Sequence, residues 1–349
     1  MDKLKKIGYG MMLTLAWISV VTFFLWSFGA IYYCPLLPKI VAVVLAFLFL
    51  LGGCYLFFKI KPKRNWLPIA AAAIGVVYLV GLLERPLVDR DWDPDQRESP
   101  WVTVDGNHVT IENFRNNHYR TESDFDAHFD TFEFELDQIT QVWFMIQRFI
   151  SVEGIAHTFL TFEVQTDTGP KFFSVSVEIR RERGETYSPI RGMYRNYELI
   201  YVIGDERDLI GVRTVMRPND RVYMYPTNAS KKQVQNLFVE IAQRANKLRK
   251  HPEFYNSFLN NCANNLVSHA YKLTPEPINW MDPLALIPGY TDRFALANGL
   301  IGEPGQSFDE LSTQSRIDEI AREVGITQNF SMAIRQQDAN AAVVLERDN

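Results

Sequence analysis

Residues 156–180 read AHTFLTFEVQTDTGPKFFSVSVEIR, and this stretch decides the fold class. Ala156 to Gln165 and Lys171 to Arg180 are rich in aromatic and β-branched residues, and Asp167-Thr168-Gly169-Pro170 between them is turn-forming, so they predict a β-hairpin. Downstream, Tyr197 to Ile203 and Arg221 to Tyr225 add strands. Upstream, Trp101-Val102-Thr103-Val104 and His108-Val109-Thr110-Ile111 flank an Asp105-Gly106 turn, and Phe129 to Leu136 alternates apolar with polar residues as a half-buried strand does. Ile139 to Ile150 is apolar and predicts a helix. Ser230 to Lys250 carries Val234, Leu237, Phe238, Ile241, Ala245 and Leu248 on one stripe behind Ser230 as N-cap, and Pro252 stops it. A second helix starts near Cys262, with Leu266, Val267 and Ala270 inward. Strands followed by helices predict an α+β domain. Phe308 to Val324 predicts a further helix within a C-terminal extension, residues 301–349, whose last part has no period.

The front of the chain is a different material. Residues 1–83 hold eight Lys and Arg against one acid, net +7, which leaves −12 for residues 84–349 of a chain whose total is −5. Met11 to Tyr33, Ile40 to Phe58 and Trp66 to Leu83 are free of charge and close to the ~20 residues that cross a bilayer. Lys3, Lys5 and Lys6 before the first span, and Lys59, Lys61, Lys63 and Arg64 between the second and third, belong on the cytoplasmic side. Everything after Leu83 is then expected outside, on a multi-pass protein of a bacterial inner membrane. Residues 84–100, rich in Pro and charge, read as a linker, and residues 84–300 as a periplasmic domain.

This outer domain holds one cysteine, Cys262, in a compartment that normally oxidises thiols in pairs. In the first turn of a helix it would feel unpaired N–H groups that favour thiolate, with Asn261 or Asn260 as cap. A thiol nucleophile needs a base. His157 is the histidine set among apolar strand residues; His269, seven residues along the same helix, is about 10 Å away, beyond hydrogen-bond reach. If the hairpin turn centres between Thr168 and Gly169, His157 faces Arg180 and Phe159 faces Glu178. Glu178 is then a diagonal neighbour able to orient the imidazole, with Glu163 as the substitute if the register slips. The candidate catalytic set is Cys262, His157 and Glu178, with Arg180, Asn261, Tyr255 and Glu163 as candidate supporting residues.

Other chemistries are poorly represented. Asp124, Asp126, His128 and Asp130 alternate as the solvated face of a strand does, and no metal is expected. HExxH, paired CxxC, Walker A and GxSxG patterns are absent, so no cofactor is expected. An acidic domain, with Arg180, Arg181 and Arg183 interleaved by glutamates, also argues against nucleic acid.

The runs RDWDPDQ (90–96), VTIENFRNNHYRTESDF (109–125), AHTFLTFEV (156–164), SVEIRRERGETY (176–187), YELIYVIGDERDLIGVR (197–213) and FYNSFLNNCANNL (254–266) resemble, in this order, the bacterial family named after the N-terminal periplasmic domain of Lnb, the lipoprotein intramolecular transacylase. The resemblance implies a permuted papain-type (NlpC-like) fold, an antiparallel sheet with helices, in which the histidine strand precedes the cysteine helix. It also implies thioester chemistry. Cys262, activated by His157, would take an acyl group from a lipoprotein or lipid in the membrane, its expected partner. A thiol peptidase, amidase or esterase acting on cell-envelope substrates is the alternative enzyme, and a non-catalytic membrane-tethered binding module the alternative outside enzymology. The sequence does not define an oligomeric state.

Overall fold

The computed structural model describes residues 2–149, 154–271 and 282–335. The chain divides into two compact units, Met1–Leu87 with Tyr187–Tyr197, and Val88–Thr186 with Glu198–Asn349.

The first unit is built on helices α1 (Asp2–Tyr32), α2 (Lys39–Lys59) and α3 (Trp66–Gly81). Three stretches, Ile7–Tyr32, Lys39–Lys59 and Lys63–Gly81, are long and apolar enough to cross a membrane. Without a solvent-driven hydrophobic effect, such helices associate through close packing and small residues. Gly53 illustrates this, because a β-carbon there would overlap the Phe24 ring. Its carbonyl accepts from Trp66 Nε1 at 3.0 Å. Residues Tyr187–Tyr197 complete the unit: Tyr194 stacks on Tyr33 at 5.3 Å, Arg195 Nη1 donates to Gly81 O at 2.8 Å, and Asn196 Nδ2 donates to Tyr33 O at 3.0 Å. These bonds satisfy carbonyls that the ends of α1 and α3 leave open. One short segment reaches both ends, so α1 and α3 finish on the same side of this unit.

The second unit is a mixed α+β domain around a mostly antiparallel sheet. Its strands are β1 (Trp101–Asp105), β2 (His108–Arg115), β3 (His118–Tyr119), β4 (Phe125–Asp126), β5 (Phe129–Glu135), β6 (Ile139–Arg148), β7 (Ala156–Thr166), β8 (Gly169–Arg180), β9 (Glu198–Asp205) and β10 (Arg221–Pro226). Among the described residues eight of these form one sheet in the order β1-β2-β9-β8-β7-β6-β10, with β5 paired to β2, while β3 and β4 pair with each other. The helix expected over 139–150 is strand β6 instead. Its sequence, ITQVWFMIQR, is β-branched and aromatic, and a strand covered on both faces loses the alternation that distinguishes it from a buried helix.

The helices are α4 (Glu206–Leu209), α5 (Gly211–Thr214), α6 (Lys231–Lys250), α7 (Cys262–Tyr271), α8 (Pro283–Leu286), α9 (Thr291–Ala297), α10 (Phe308–Gln314), α11 (Asp318–Val324) and α12 (Phe330–Ala333). α6 begins as predicted, with Ser230 and Gln233 forming a reciprocal capping box. One sheet face packs Phe134, Phe162 and Phe173 against Phe238 of α6, and Ile146 and Tyr225 against Ala295 of α9 and Leu311 of α10. The opposite face packs Met145, Phe159 and Met224 against Ile210, Ile317, Ala321, Phe330 and Ile334. Residues 301–335, expected as an extension, therefore supply core to both faces. The single helix expected from Phe308 to Val324 is two, broken at Ser315–Ile317, where Met224 N donates to Ser315 O and Ile317 N to Val222 O. The remainder of the extension, 336–349, lies outside the described residues. The linker is folded too: Trp92 bridges Glu182, and Trp92 and Gln96 are buried.

Candidate active site

The β7–β8 hairpin turns one residue earlier than the sequence suggested. Thr166 pairs with Gly169 around Asp167-Thr168, and Phe159 pairs with Ser176 rather than Glu178. The register is displaced by two residues, and because strand faces alternate with period two, the predicted face survives. His157, Ser176, Glu178 and Arg180 all lie on the α4/α5 face.

Ser176 lies between His157 and Glu178 on this face. His157 Nε2 lies 2.7 Å from Ser176 Oγ, and Glu178 follows two residues along β8. Gln96 Nε2 donates to Glu178 Oε2 at 3.2 Å, and Arg213 Nη2 of α5 forms an ion pair with its other oxygen. Burial alone would raise the Glu178 pKa, but the guanidiniums of Arg213 and then Arg115 hold it well below the usual carboxylate range. Burial acts on His157 in the other direction, and with Arg213 nearby it pushes the imidazole down to about 3 against the opposing pull of Glu178. The imidazole is neutral at physiological pH and packs over Phe159, whose ring also carries the Arg213 guanidinium.

Cys262 lies on the other side. It opens α7, where Asn261 Oδ1 accepts from Asn264 N at 2.9 Å and caps the helix as predicted. The thiol sits beside Thr158, the neighbour of His157 on β7 that points the opposite way, so the strand itself separates thiol from imidazole. Burial pushes the Cys262 thiol up, and this outweighs the Thr158 and helix-start N–H groups that favour thiolate.

The supporting residues divide in the same way. Arg180 does not pair with Glu178: Nε donates to Gln96 O at 3.0 Å, Nη2 to Arg97 O at 2.6 Å, and the guanidinium stacks 4.4 Å over Trp92. Burial lowers its pKa to about 10. Its work is to pin residues 88–97. Glu163, six residues along β7 from His157 and therefore about 20 Å away, accepts from Gln165 and is no substitute for Glu178. Tyr255 is buried, five residues before Asn260 on the segment leading to Cys262. His269 is buried on α7 with Nε2 2.8 Å from Tyr201 Oη. Arg120 takes both Asp124 and Asp126, and His128 meets Asp130 at 2.7 Å.

An apolar cavity of about 520 Å³ lies on the Cys262 side of the sheet, between β6–β7 and helices α6, α7 and α9. Phe144, Leu160, Leu237, Leu266 and Phe294 supply much of its wall, and Thr158 and Ala263, the contact and the chain neighbour of Cys262, line it as well. Its size is that of a small-molecule site.

Residues 125–288 match the profile of the Lnb N-terminal periplasmic domain. Residues 125–288 are a domain of that family. No curated protein and no solved structure matches it. The matched stretch of the Lnb-type domain contains His157, Glu178 and Cys262, on both faces of the sheet. With three helices long and apolar enough to cross a membrane ahead of it, the chain is a membrane-anchored protein with a periplasmic domain. Sequence reasoning missed Ser176 and Arg213 of the polar face. Ser176 was readable from its alternation with Glu178; Arg213, 35 residues on in a one-turn helix, carried no sequence signal.

Proposed function

We propose that this chain is a thiol enzyme of the bacterial inner membrane, facing the periplasm, which transfers an acyl group from a membrane lipoprotein or lipid through a thioester on Cys262. The observation that supports this reading is the apolar cavity whose wall includes Thr158 and Ala263, a place for an acyl chain next to the only thiol of the outer domain. The base takes the thiol proton, the thiolate adds to the ester carbonyl, the C–O bond breaks, and the released alkoxide takes that proton from the base. An amine then attacks the thioester, the C–S bond breaks, and the proton lost by nitrogen returns to sulfur.

In this proposal His157 is the base and Glu178 its orienting acid, on a permuted papain-type fold. Ala156 to Thr158 run beyond the last β7–β8 backbone pair and are laddered to β6 alone, so a one-residue slip of this strand end, which breaks the His157–Ser176 contact, exchanges the faces of Thr158 and His157. Apo geometry often leaves such partners apart. With water as acceptor the same site is an esterase, or with an amide substrate a peptidase or amidase. A second reading, a non-catalytic binding module, is favoured by the buried, protonated thiol and the imidazole on the far side of β7.

Mass spectrometry of a diacylated lipoprotein co-expressed with the chain, or with its Cys262→Ala variant, tests the proposal. An acyl shift to the amine only with Cys262 present supports transfer, and free fatty acid only with Cys262 present supports hydrolysis. If the lipoprotein stays diacylated in both while a fluorescent fatty acid still occupies the cavity, the binding module stands.

A further inference from the structure

Phe258 and Leu259 are 68% and 82% exposed, more than any other large apolar side chain described in the second unit. Isolated apolar residues on a surface are ordinary. These two differ because they are adjacent and rigidly presented. Asn256 N donates to Asn260 O and Asn260 N to Asn256 O, both at 3.0 Å, closing a tight turn. Inside it Asn256 Oδ1 accepts from Phe258 N at 3.0 Å and Leu259 N at 2.9 Å, leaving the two side chains at the tip. Asn260 Nδ2 ties the turn to Phe254 O at 3.0 Å, and Asn261 Nδ2 ties it to Ser257 O at 2.8 Å. A turn fixed this thoroughly gains nothing for the fold by holding Phe and Leu in water.

The tip lies at the cysteine end of the domain. Leu259 is three residues before Cys262, so their Cα atoms are within about 11 Å. Ile155, 40% exposed, is as close in chain to Thr158, which touches the thiol. The helix that leads into this turn is basic at its end: α6 finishes in Lys247, Arg249 and Lys250, on a domain that is otherwise acidic. Glu253, in the electrostatic reach of Lys247, hydrogen-bonds Asn260 of the turn. Apolar tips beside lysines and arginines are the composition of segments that enter the interface of anionic bilayers. The helices of membrane-spanning length and composition at the front of the chain point to a bilayer as that surface.

We propose that Phe258 and Leu259 are an interfacial anchor, inserted among lipid headgroups and upper acyl chains beside Cys262. This goes beyond the proposed chemistry and holds whether or not the thiol is catalytic. The test uses the full chain in phosphatidylethanolamine–phosphatidylglycerol vesicles, with Cys34, Cys54 and Cys262 replaced by Ser and a fluorophore on Leu259→Cys. Glu303→Cys, on an exposed loop, is the reference. The expected result is quenching by nitroxide-labelled lipid about threefold stronger at 259 than at 303, with protection from iodide. Equal iodide quenching at both sites would overturn the anchor. Protection from iodide and from nitroxide lipid alike would overturn it too, since protein, from this chain or a second copy, would then cover the tip. Because the readout is depth, its failure leaves the thioester proposal standing, and loss of acyl transfer leaves the anchor standing.

Discussion

The Cys262 thiol and the His157 imidazole sit on opposite faces of β7, the first against Thr158 and the second on Ser176. Each half of the expected pair is therefore stabilised by something other than its partner: the thiol by burial as S–H, the imidazole as a neutral ring beside an Arg213–Glu178 ion pair.

Reactivity of the thiol follows from this separation. With its pKa above the ordinary 9.0 of the free side chain, Cys262 is expected to react with iodoacetamide at a rate rising about tenfold per pH unit from 7 to 8.5 without a plateau. His157→Gln should leave that profile unchanged in the resting protein. A His157-dependent plateau near neutrality, read by mass spectrometry, would show that thiol and imidazole pair in solution.

Glu178→Gln removes the counter-charge of Arg213, whose side chain is only 6% exposed. Breaking one half of a buried pair costs about 3–5 kcal/mol, so a large fall in Tm in detergent is expected. A Glu178→Leu, Arg213→Met double variant should lose much less, because no orphan charge remains. Equal losses would show that the ion pair does not carry the effect.

Acid stability has a worked sign. His157 titrates near 3 in the folded protein and near 6.5 unfolded, so between these values the unfolded chain binds more protons and stability falls as pH falls. The low pKa of Glu178 acts in the same sense, its contribution being full above the unfolded carboxylate value of 4.5 and lost below it. Between pH 7 and pH 5 the His157 part is about 1–2 kcal/mol after allowance for its partial exposure. His157→Asn should flatten the thermal-stability profile over this interval, and an unchanged slope would contradict the low imidazole pKa.

Arg180→Ala withdraws hydrogen bonds from Gln96 O and Arg97 O and uncovers Trp92. Residues 88–97 should become sensitive to limited proteolysis, at a cost of about 2–4 kcal/mol from charged hydrogen bonds and lost stacking. Acyl transfer assayed on the intact variant should persist, because Arg180 faces neither the cavity nor Cys262.

Val267→Trp places a larger side chain in the cavity wall. Overpacking costs about 1–3 kcal/mol, and the binding of a fluorescent fatty acid should fall at least tenfold, by titration. Unchanged binding would place the acyl chain elsewhere.

The sequence determined the apolar helices at the front, the hairpin carrying His157 and Glu178, the capped helix from Ser230, the Asn261 cap on the Cys262 helix, and the family. These follow from local rules, such as an uninterrupted apolar run, alternation about a turn, or a cap and a stripe, and are set within a few residues of where they are read. Tertiary structure decided the rest. β6 became a strand because its neighbours β7 and β10 supply hydrogen bonds that no periodicity reveals. Arg180 went to the linker and Arg213 to Glu178 because burial leaves no guanidinium or carboxylate unpaired, and the available partners lie tens of residues away. The alternation that identified His157 in the sequence also sends Thr158, and with it Cys262, to the other face. Which face a helix covers is settled by packing around the whole sheet, and no residue of that helix encodes it alone.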